Sequence, residues 1–326
     1  MVKIEKVTTV LQVNKKQEQL QFVNIGTSGA DNRLFLDPLL IAINEDKLSK
    51  AAHTLLTDYF QTVFKLIREG KSKEQMLLGI LSNSSENNSF RLGKSEFIKD
   101  VYPNGRGCGP DMLFRLLTRV EHRRLIKDGT IKDPIDVVLF IKNFNEDRMS
   151  DLIASILFGL LSEFTVTQAL KYNPKAKFRT QEGLRWDVTI HNWVKFQYRQ
   201  LLDLNEIPLT LIPKHIITDQ YRYRADNYLM AHLIRYEQEE ELKVALKTNP
   251  DAVKRNKKLI SSDKKEEMSN PSTKDLIIQL TLAHRSKNPV NVYKEDMTKK
   301  YNGGLSDSQL TSIIENPYEE IEKGIA

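Results

Sequence analysis

Three carboxylates, an arginine and a serine crowd the stretch Asn145-Glu146-Asp147-Arg148-Met149-Ser150-Asp151, which follows an apolar run and opens a helical pattern. Carboxylates at the end of a strand can hold Mg²⁺ or Mn²⁺, because hard cations prefer oxygen ligands. A helix turns about 100° per residue, so Asp147 and Asp151 fall one turn apart, on the face opposite the apolar stripe that begins at Met149. The plainer role for these acids is to complement the helix N-terminal dipole, with Asp147 or Ser150 as the cap. Further along, Lys214 emerges from the apolar run Leu209 to Pro213, where an ammonium can offset charge growing on a phosphoryl oxygen. These spacings predict a metal-dependent phosphodiester hydrolase with Asp147, Asp151 and Lys214 as catalytic residues and the two aspartates as ligands of Mg²⁺ or Mn²⁺. The PD-(D/E)XK nuclease pattern wants an acid two positions before the lysine, where this chain has Ile212. Asp187 can replace it only if the fold brings it close.

A second group of residues suits a polyanion. Asn104-Gly105-Arg106-Gly107-Cys108-Gly109-Pro110 is a glycine-rich loop feeding a helix start, where backbone amides and the Arg106 fork can receive a phosphate. It matches neither GxxxxGK[ST] nor GxGxxG, so the common nucleotide-binding families are not supported, and a plain turn fits equally well. The helix that follows is expected to present Arg115, Arg119, His122, Arg123 and Arg124 away from its apolar stripe. Tyr221-Arg222-Tyr223-Arg224 interleaves aromatics that can stack bases with arginines that can grip phosphates, or else packs two tyrosines at a helix start. Arg106, Arg115, Arg119, Arg123, Arg124, Arg222 and Arg224 are therefore the expected contacts to DNA or RNA. The basic run Lys254 to Lys258 reads as a solvated linker. A net charge of +6 and a pI near 9.1 favour such a partner without proving one.

The elements that must position these groups follow from periodicity. Val7–Val13 and Leu20–Ile25 read as a hairpin, and a strand through Leu34–Leu36 stops at Asp37-Pro38. Apolar residues from Leu48 to Ile67 recur at helical spacing and close at Gly70, with His53 and Asp58 expected to face solvent. Ser82–Ser89 is a polar loop. A helix opens at Pro110, Asp136–Phe144 has the composition of a buried strand, and Met149–Phe164 repeats with the best helical period in the chain. Pro208–Ile217 reads as a strand broken at Pro213, and the chain is helical from Asp219 onward. This predicts an α+β fold, with a mixed sheet and packed helices over residues 1–218 and a mainly helical region over 219–326.

Composition removes other classes. The 326 residues are 40% hydrophobic and 28% charged, enough for a sizeable core. Cys108 is the only cysteine, which excludes an internal disulfide and a conventional structural zinc pattern. No uninterrupted apolar run approaches the roughly 18 residues that span a membrane, so a cytoplasmic protein with no membrane partner is expected.

Leu34-Phe35-Leu36-Asp37-Pro38, the Gly105 to Gly109 loop, Asp147-Arg148-Met149-Ser150-Asp151 and Leu211-Ile212-Pro213-Lys214 resemble blocks of an uncharacterised bacterial family that looks associated with phage defence or mobile elements. The resemblance implies a nuclease-like effector of antiviral defence. The alternative is a non-catalytic subunit that senses nucleic acid or docks a partner protein or a second copy of itself.

Overall fold

The structure is a computed structural model that describes residues 5–27, 31–83, 87–93, 109–269, 271–301 and 303–316. In chain order the elements are α1 (Val7–Val10), β1 (Phe35–Leu36), α2 (Pro38–Ile43), α3 (Lys47–Glu69), α4 (Glu74–Leu81), α5 (Pro110–Leu117), α6 (Val120–Lys127), α7 (Val137–Phe140) and α8 (Glu146–Tyr172). They continue with β2 (Phe178–Asp187), β3 (Asn192–Leu202), β4 (Pro208–Leu209), β5 (Ile217–Thr218), α9 (Ala225–Tyr228), α10 (Ile234–Ala245), α11 (Lys257–Glu267), α12 (Thr273–Ala283), α13 (Pro289–Lys300) and α14 (Asp307–Glu315). The fold is α+β with a mainly helical C-terminal part. Two compact units share the chain: the first holds 1–115, 145–220 and 303–326, the second 116–144 and 221–302.

In the first unit, α3 forms because Ala52, Leu56, Tyr59, Phe60, Val63, Phe64 and Ile67 line one buried stripe. Its start is fixed by the Asp46 carboxylate, which accepts from the amides of Leu48 and Ser49 at 3.0 Å each, a cap worth about 1 kcal/mol. It ends at Gly70, whose φ of 80° costs a glycine no Cβ clash. Helix α8 is buried nearly all round through its middle turns, from Met149 to Leu161. It is long and apolar enough to cross a membrane by length and composition, yet 72% of that apolar window is buried inside the protein, as in a core helix. Its first turn is tied to β1, where the Leu36 amide donates to the Ser150 hydroxyl at 3.0 Å.

Strands β2 and β3 make a long antiparallel ribbon, in register from Phe178 opposite Leu201 to Asp187 opposite Asn192. β4 joins β3 only at Leu201 and Leu202, and a second small sheet pairs β1 with β5. Phe196 and Tyr198 meet Phe158 of α8 edge-to-face, with ring centroids 6.2 and 4.9 Å away. Gly183 makes room for them, since a Cβ there would lie 2.9 Å from the Tyr198 ring.

Four expected strands take other forms. The N-terminal hairpin is replaced by α1 and isolated bridges, Lys6 with Gly26 and Phe22 with Pro213. The buried Gln17 side chain holds the returning chain, donating to the Phe22 carbonyl and accepting from the Asn24 amide, both at 2.9 Å. Asp136–Phe144 is a capped turn followed by α7: the Asp136 carboxylate accepts from the amides of Lys132 and Asp133, which starts a helix rather than a ladder. A short apolar run suits a buried helix as well as a strand. Pro208–Ile217 forms only β4 and β5, because the backbone between them bonds elsewhere: Thr210 to the Ser89 carbonyl, Leu211 to the Thr165 hydroxyl, and the Ile212 carbonyl to Val23.

The second unit is helical and has a polar centre. Asp136, fully buried, is held by Lys294 at 3.1 Å and by the Tyr223 hydroxyl at 3.2 Å. Burial pushes its carboxyl upward, and Lys294 opposes this. Lys274 donates to the carbonyls of Val138, Ile141 and Phe144 at 2.6 to 2.9 Å, closing the C-terminal end of α7, while burial pulls its ammonium down to about 8. His122 is wholly buried, its Nδ1 2.6 Å from the Leu116 carbonyl. Burial is the main cause that lowers its pKa. The folded state thus keeps this imidazole neutral while the unfolded chain protonates near pH 6.5, so stability is present above that value and lost as pH falls below it. Urea unfolding should show a smaller free energy at pH 5.5 than at pH 7.5, and His122→Gln, which takes up no proton, should reduce that difference, leaving the share of His215 and His232, whose pKa values burial also lowers.

Candidate functional site

The chemistry-bearing arrangement in the first unit is one that the spacing did not suggest. Asp58, on the exposed side of α3, accepts from the Trp186 indole at 2.7 Å through one oxygen and bonds the His191 imidazole Nδ1 at 2.8 Å through the other. Its side chain is 19% exposed, so the expectation of a solvent-facing residue is corrected. His191 sits in the turn between β2 and β3 at φ 51°, in the left-handed region that costs an L-residue about 1–2 kcal/mol. The Asp58 bond requires Nδ1 to carry hydrogen when the ring is neutral, which leaves Nε2 as the acceptor, with no hydrogen-bond partner among the described residues.

The local sequence explains the alignment. Trp186 and Trp193 are directly opposed in the ribbon, and both rings pack on Tyr59 of α3, at 5.0 and 5.9 Å between centroids. The Trp193 indole also donates to the Ile80 carbonyl of α4 at 2.7 Å. The aromatic trio docks the ribbon onto two helices and brings its turn over Asp58. Beside the dyad opens a cavity of about 740 Å³, nucleotide-sized, with Asp58, His191, Lys65, Arg68 and Lys73 on its polar wall and Leu66, Met76 and Ile190 on its apolar wall. Glu69 also faces it, 3.9 Å from Lys73.

The expected residues are distributed differently. Asp147 and Asp151 do stand one turn apart on α8, half-buried, in the first unit. The cap of that helix is neither Asp147 nor Ser150: the Asn145 side chain accepts from the Arg148 amide at 3.1 Å. An oxygen of Asp147 lies 3.2 Å from where a Cβ on Gly93 would stand, so that glycine, at φ 130°, lets the loop pass close to the carboxylate. Lys214 is bound to Asp307 at 2.7 Å, which commits its ammonium to the start of α14 rather than to the aspartate pair. Asp187 accepts from the Thr189 amide within the ribbon turn, and that backbone bond is the first cause holding its pKa low.

Arg106 and most of the glycine loop, including Cys108, lie outside the described residues. The expected arginine helix is two helices, because the backbone at Arg119 is extended and starts α6 anew. Arg115 belongs to the first unit and Arg119, Arg123 and Arg124 to the second, and His122 is in the core rather than on the basic face. Tyr221 and Tyr223 are buried, so of the interleaved segment only Arg222 is open, and Arg224 is clamped by Asp226 at 2.6 and 3.0 Å.

The second unit gathers Glu237, Glu240 and His284, whose ligand atoms lie within 4.8 Å of one another. Each imidazole nitrogen already faces one glutamate, at 2.5 and 3.6 Å. Lys264 meets Glu237 at 3.2 Å and Lys287 meets Glu240 at 2.7 Å. Two carboxylates and two ammoniums balance, and the lysines hold the oxygen positions a cation would need, so the group acts as a charge network.

Residues 12–224 match a family described as Domain of unknown function (DUF8370), a span that includes Asp58, Trp186 and His191 as well as Asp147, Asp151 and Lys214. No curated protein and no solved structure matches the chain. Because the left-handed turn at 191 suits a residue without Cβ, His191→Gly should unfold at higher urea than His191→Ala, by about 1 kcal/mol in free energy. Equal stability of the two would show that the turn carries no such strain.

Proposed function

Because the chain belongs to the family described as Domain of unknown function (DUF8370), whose description brings no chemistry with it, we propose a function from the residues alone: hydrolysis of phosphodiester bonds in nucleic acid. The Asp58–His191 dyad at the mouth of the basic cavity is the observation that carries this. His191 Nε2 takes a proton from the attacking water as its oxygen bonds phosphorus. The leaving oxygen departs with the electrons of the broken P–O bond and takes that proton back. Asp58 holds the required tautomer and offsets the charge of the imidazolium, and Lys65, Arg68 and Lys73 face the negative phosphoryl group. A cytoplasmic setting and a part in bacterial defence belong to the same proposal, the second drawn from the resemblance of the sequence blocks.

A rival site for the same reaction is the pair Asp147 and Asp151 with Mg²⁺ or Mn²⁺. Its two carboxylates stand one turn apart on α8. Lys214, bound to Asp307, has no part in it.

The experiment is cleavage of end-labelled single- and double-stranded DNA and RNA by the full chain in Mg²⁺, Mn²⁺ or EDTA. His191→Ala should lower the rate about 10²- to 10⁴-fold while circular dichroism stays unchanged, the range of a lost general base. Asp58→Asn should approach the same loss, since its amide keeps the indole bond through oxygen but offers N–H to Nδ1 and so fixes the wrong tautomer. Cutting that survives His191→Ala but vanishes in EDTA and in Asp151→Ala assigns the reaction to the aspartate pair. No cutting of any substrate leaves the binding subunit as the function.

A further inference from the structure

The ribbon that carries His191 has a charge pattern that the proposed chemistry does not use. Between residues 173 and 202 lie six cations, Lys175, Lys177, Arg179, Arg185, Lys195 and Arg199, against two acids, Glu182 and Asp187. All six cations are exposed. Among the described residues only Arg185 has an ion pair, with Glu163 at 3.8 Å. Arg199 lies over the Phe178 ring at 4.3 Å, which holds its guanidinium extended along the ribbon. The contrast with the second unit is plain, where Glu237, Glu240, Lys264 and Lys287 satisfy one another.

The register shows where these side chains point. Thr180, Glu182, Lys195, Gln197 and Arg199 share one face and are exposed, while Trp186 and Trp193 share it at the turn end, where they pack on Tyr59 of α3. Arg179 and Arg185 lie on the other face with Phe196 and Tyr198, which pack on α8. Among the described residues the outer edge of β2 pairs with nothing, and β3 is covered only at Leu201 and Leu202. A free strand edge needs charge as a guard against pairing with other chains, but charge of either sign serves, on the edge strand itself. Here the face that holds Thr180 and Gln197 carries Lys195 and Arg199 of β3 against Glu182 of β2, and the exposed arginines of β2, Arg179 and Arg185, add charge from the other face.

We propose that this ribbon is a docking surface for double-stranded DNA, lying in the major groove with its exposed face toward the base edges and its cations on the phosphates of the groove walls. Its size fits: the stretch of β2 from Phe178 to Leu184, short of the tryptophans packed on α3, reaches about 23 Å and two strands lie about 4.8 Å apart, while the B-form major groove is about 12 Å wide and admits a two-stranded ribbon. Gln197 and Arg199 are the side chains that read bases, since an amide can pair with adenine and a guanidinium with guanine. The deep, narrow major groove of A-form RNA does not admit the ribbon. The docking stands on the charge and register of the ribbon alone; only the further point, that a bound duplex is delivered to the cavity at the His191 end, rests on the proposed hydrolysis.

The test is fluorescence anisotropy of a labelled 24-base-pair DNA duplex, roughly two helical turns, titrated with the full chain over a salt series. Wild type should bind with a steep salt dependence. The triple variant Arg179→Glu, Lys195→Glu, Arg199→Glu should bind at least tenfold more weakly, and the milder Lys195→Gln, Arg199→Gln should weaken binding and lower the logarithmic salt slope by about 0.9, for the one lost phosphate contact of Lys195. Circular dichroism and urea unfolding check that both variants remain folded. The inference is overturned if the double glutamine variant, folded, keeps the wild-type affinity and slope, or if single-stranded DNA or duplex RNA of equal length binds as tightly as duplex DNA. Binding that behaves as expected without any cleavage leaves the docking surface intact and removes only the hydrolysis.

Discussion

The carboxylate of Asp58 is the fastening on which the candidate site depends. It joins residues 128 and 133 positions away in the chain, Trp186 and His191, to the exposed side of α3. A two-stranded ribbon is at best marginally stable by itself in water, and this one is held at two places. Phe196 and Tyr198 pack on Phe158 of α8, and Trp186 and Trp193 pack on Tyr59 of α3. Two glycines set the distance at the first. A Cβ at Gly159 would stand 2.9 Å from the Arg185 side chain, and one at Gly183 would meet Tyr198. With the ribbon fixed on both helices, its turn has one place to go, and that place is above Asp58.

How legible this was depends on the period of each element. α3 and α8 repeat apolar residues over many turns, so their faces could be read, and the placing of Asp147 and Asp151 one turn apart followed. Short apolar runs carry no such period. Asp136–Phe144 was composed like a strand and folds as a turn and α7, because the Asp136 carboxylate takes the amides of Lys132 and Asp133 and so caps the turn that leads into the helix. The ribbon is the opposite case: Trp193 to Arg199 alternates inward and outward residues as a strand should, yet its polar alternate positions hide it among surface residues. The dyad was illegible for a different reason. Asp58 has the spacing of a solvent-facing helix residue and His191 lies in a turn, and only the docking of the ribbon makes them neighbours. The same argument applies to Lys214, whose distance from Asp151 in sequence said nothing about its ion pair with Asp307.

The two units treat charge differently, and the difference is physical rather than one of number. In the second unit several charges are held by partners within the unit. Asp136 has Lys294 and Tyr223, Lys274 has three carbonyls, and the glutamates around His284 have two lysines. Such groups would be costly if left alone, so their partners are a condition of folding. The cations of the ribbon are exposed and carry no such cost, so the fold does not require them to be basic. Their sign is therefore open to be set by what they meet outside the chain.

The backbone at His191 closes the argument from conformation to chemistry. Glycine would take a φ of 51° with no Cβ strain, and the neighbouring turn residues Thr189 and Asn192 are polar and small. A histidine there accepts a conformational cost of about 1 kcal/mol, offset by the bond to Asp58, and a net hydrogen bond to a charged group contributes about 1.5–3 kcal/mol. The side chain is more than half exposed, so that bond is screened and its contribution falls toward the lower end. For stability alone the exchange is close to neutral. What the imidazole adds beyond a glycine is an oriented ring whose Nε2 is left to a ligand, at the mouth of a cavity with three cations in its wall.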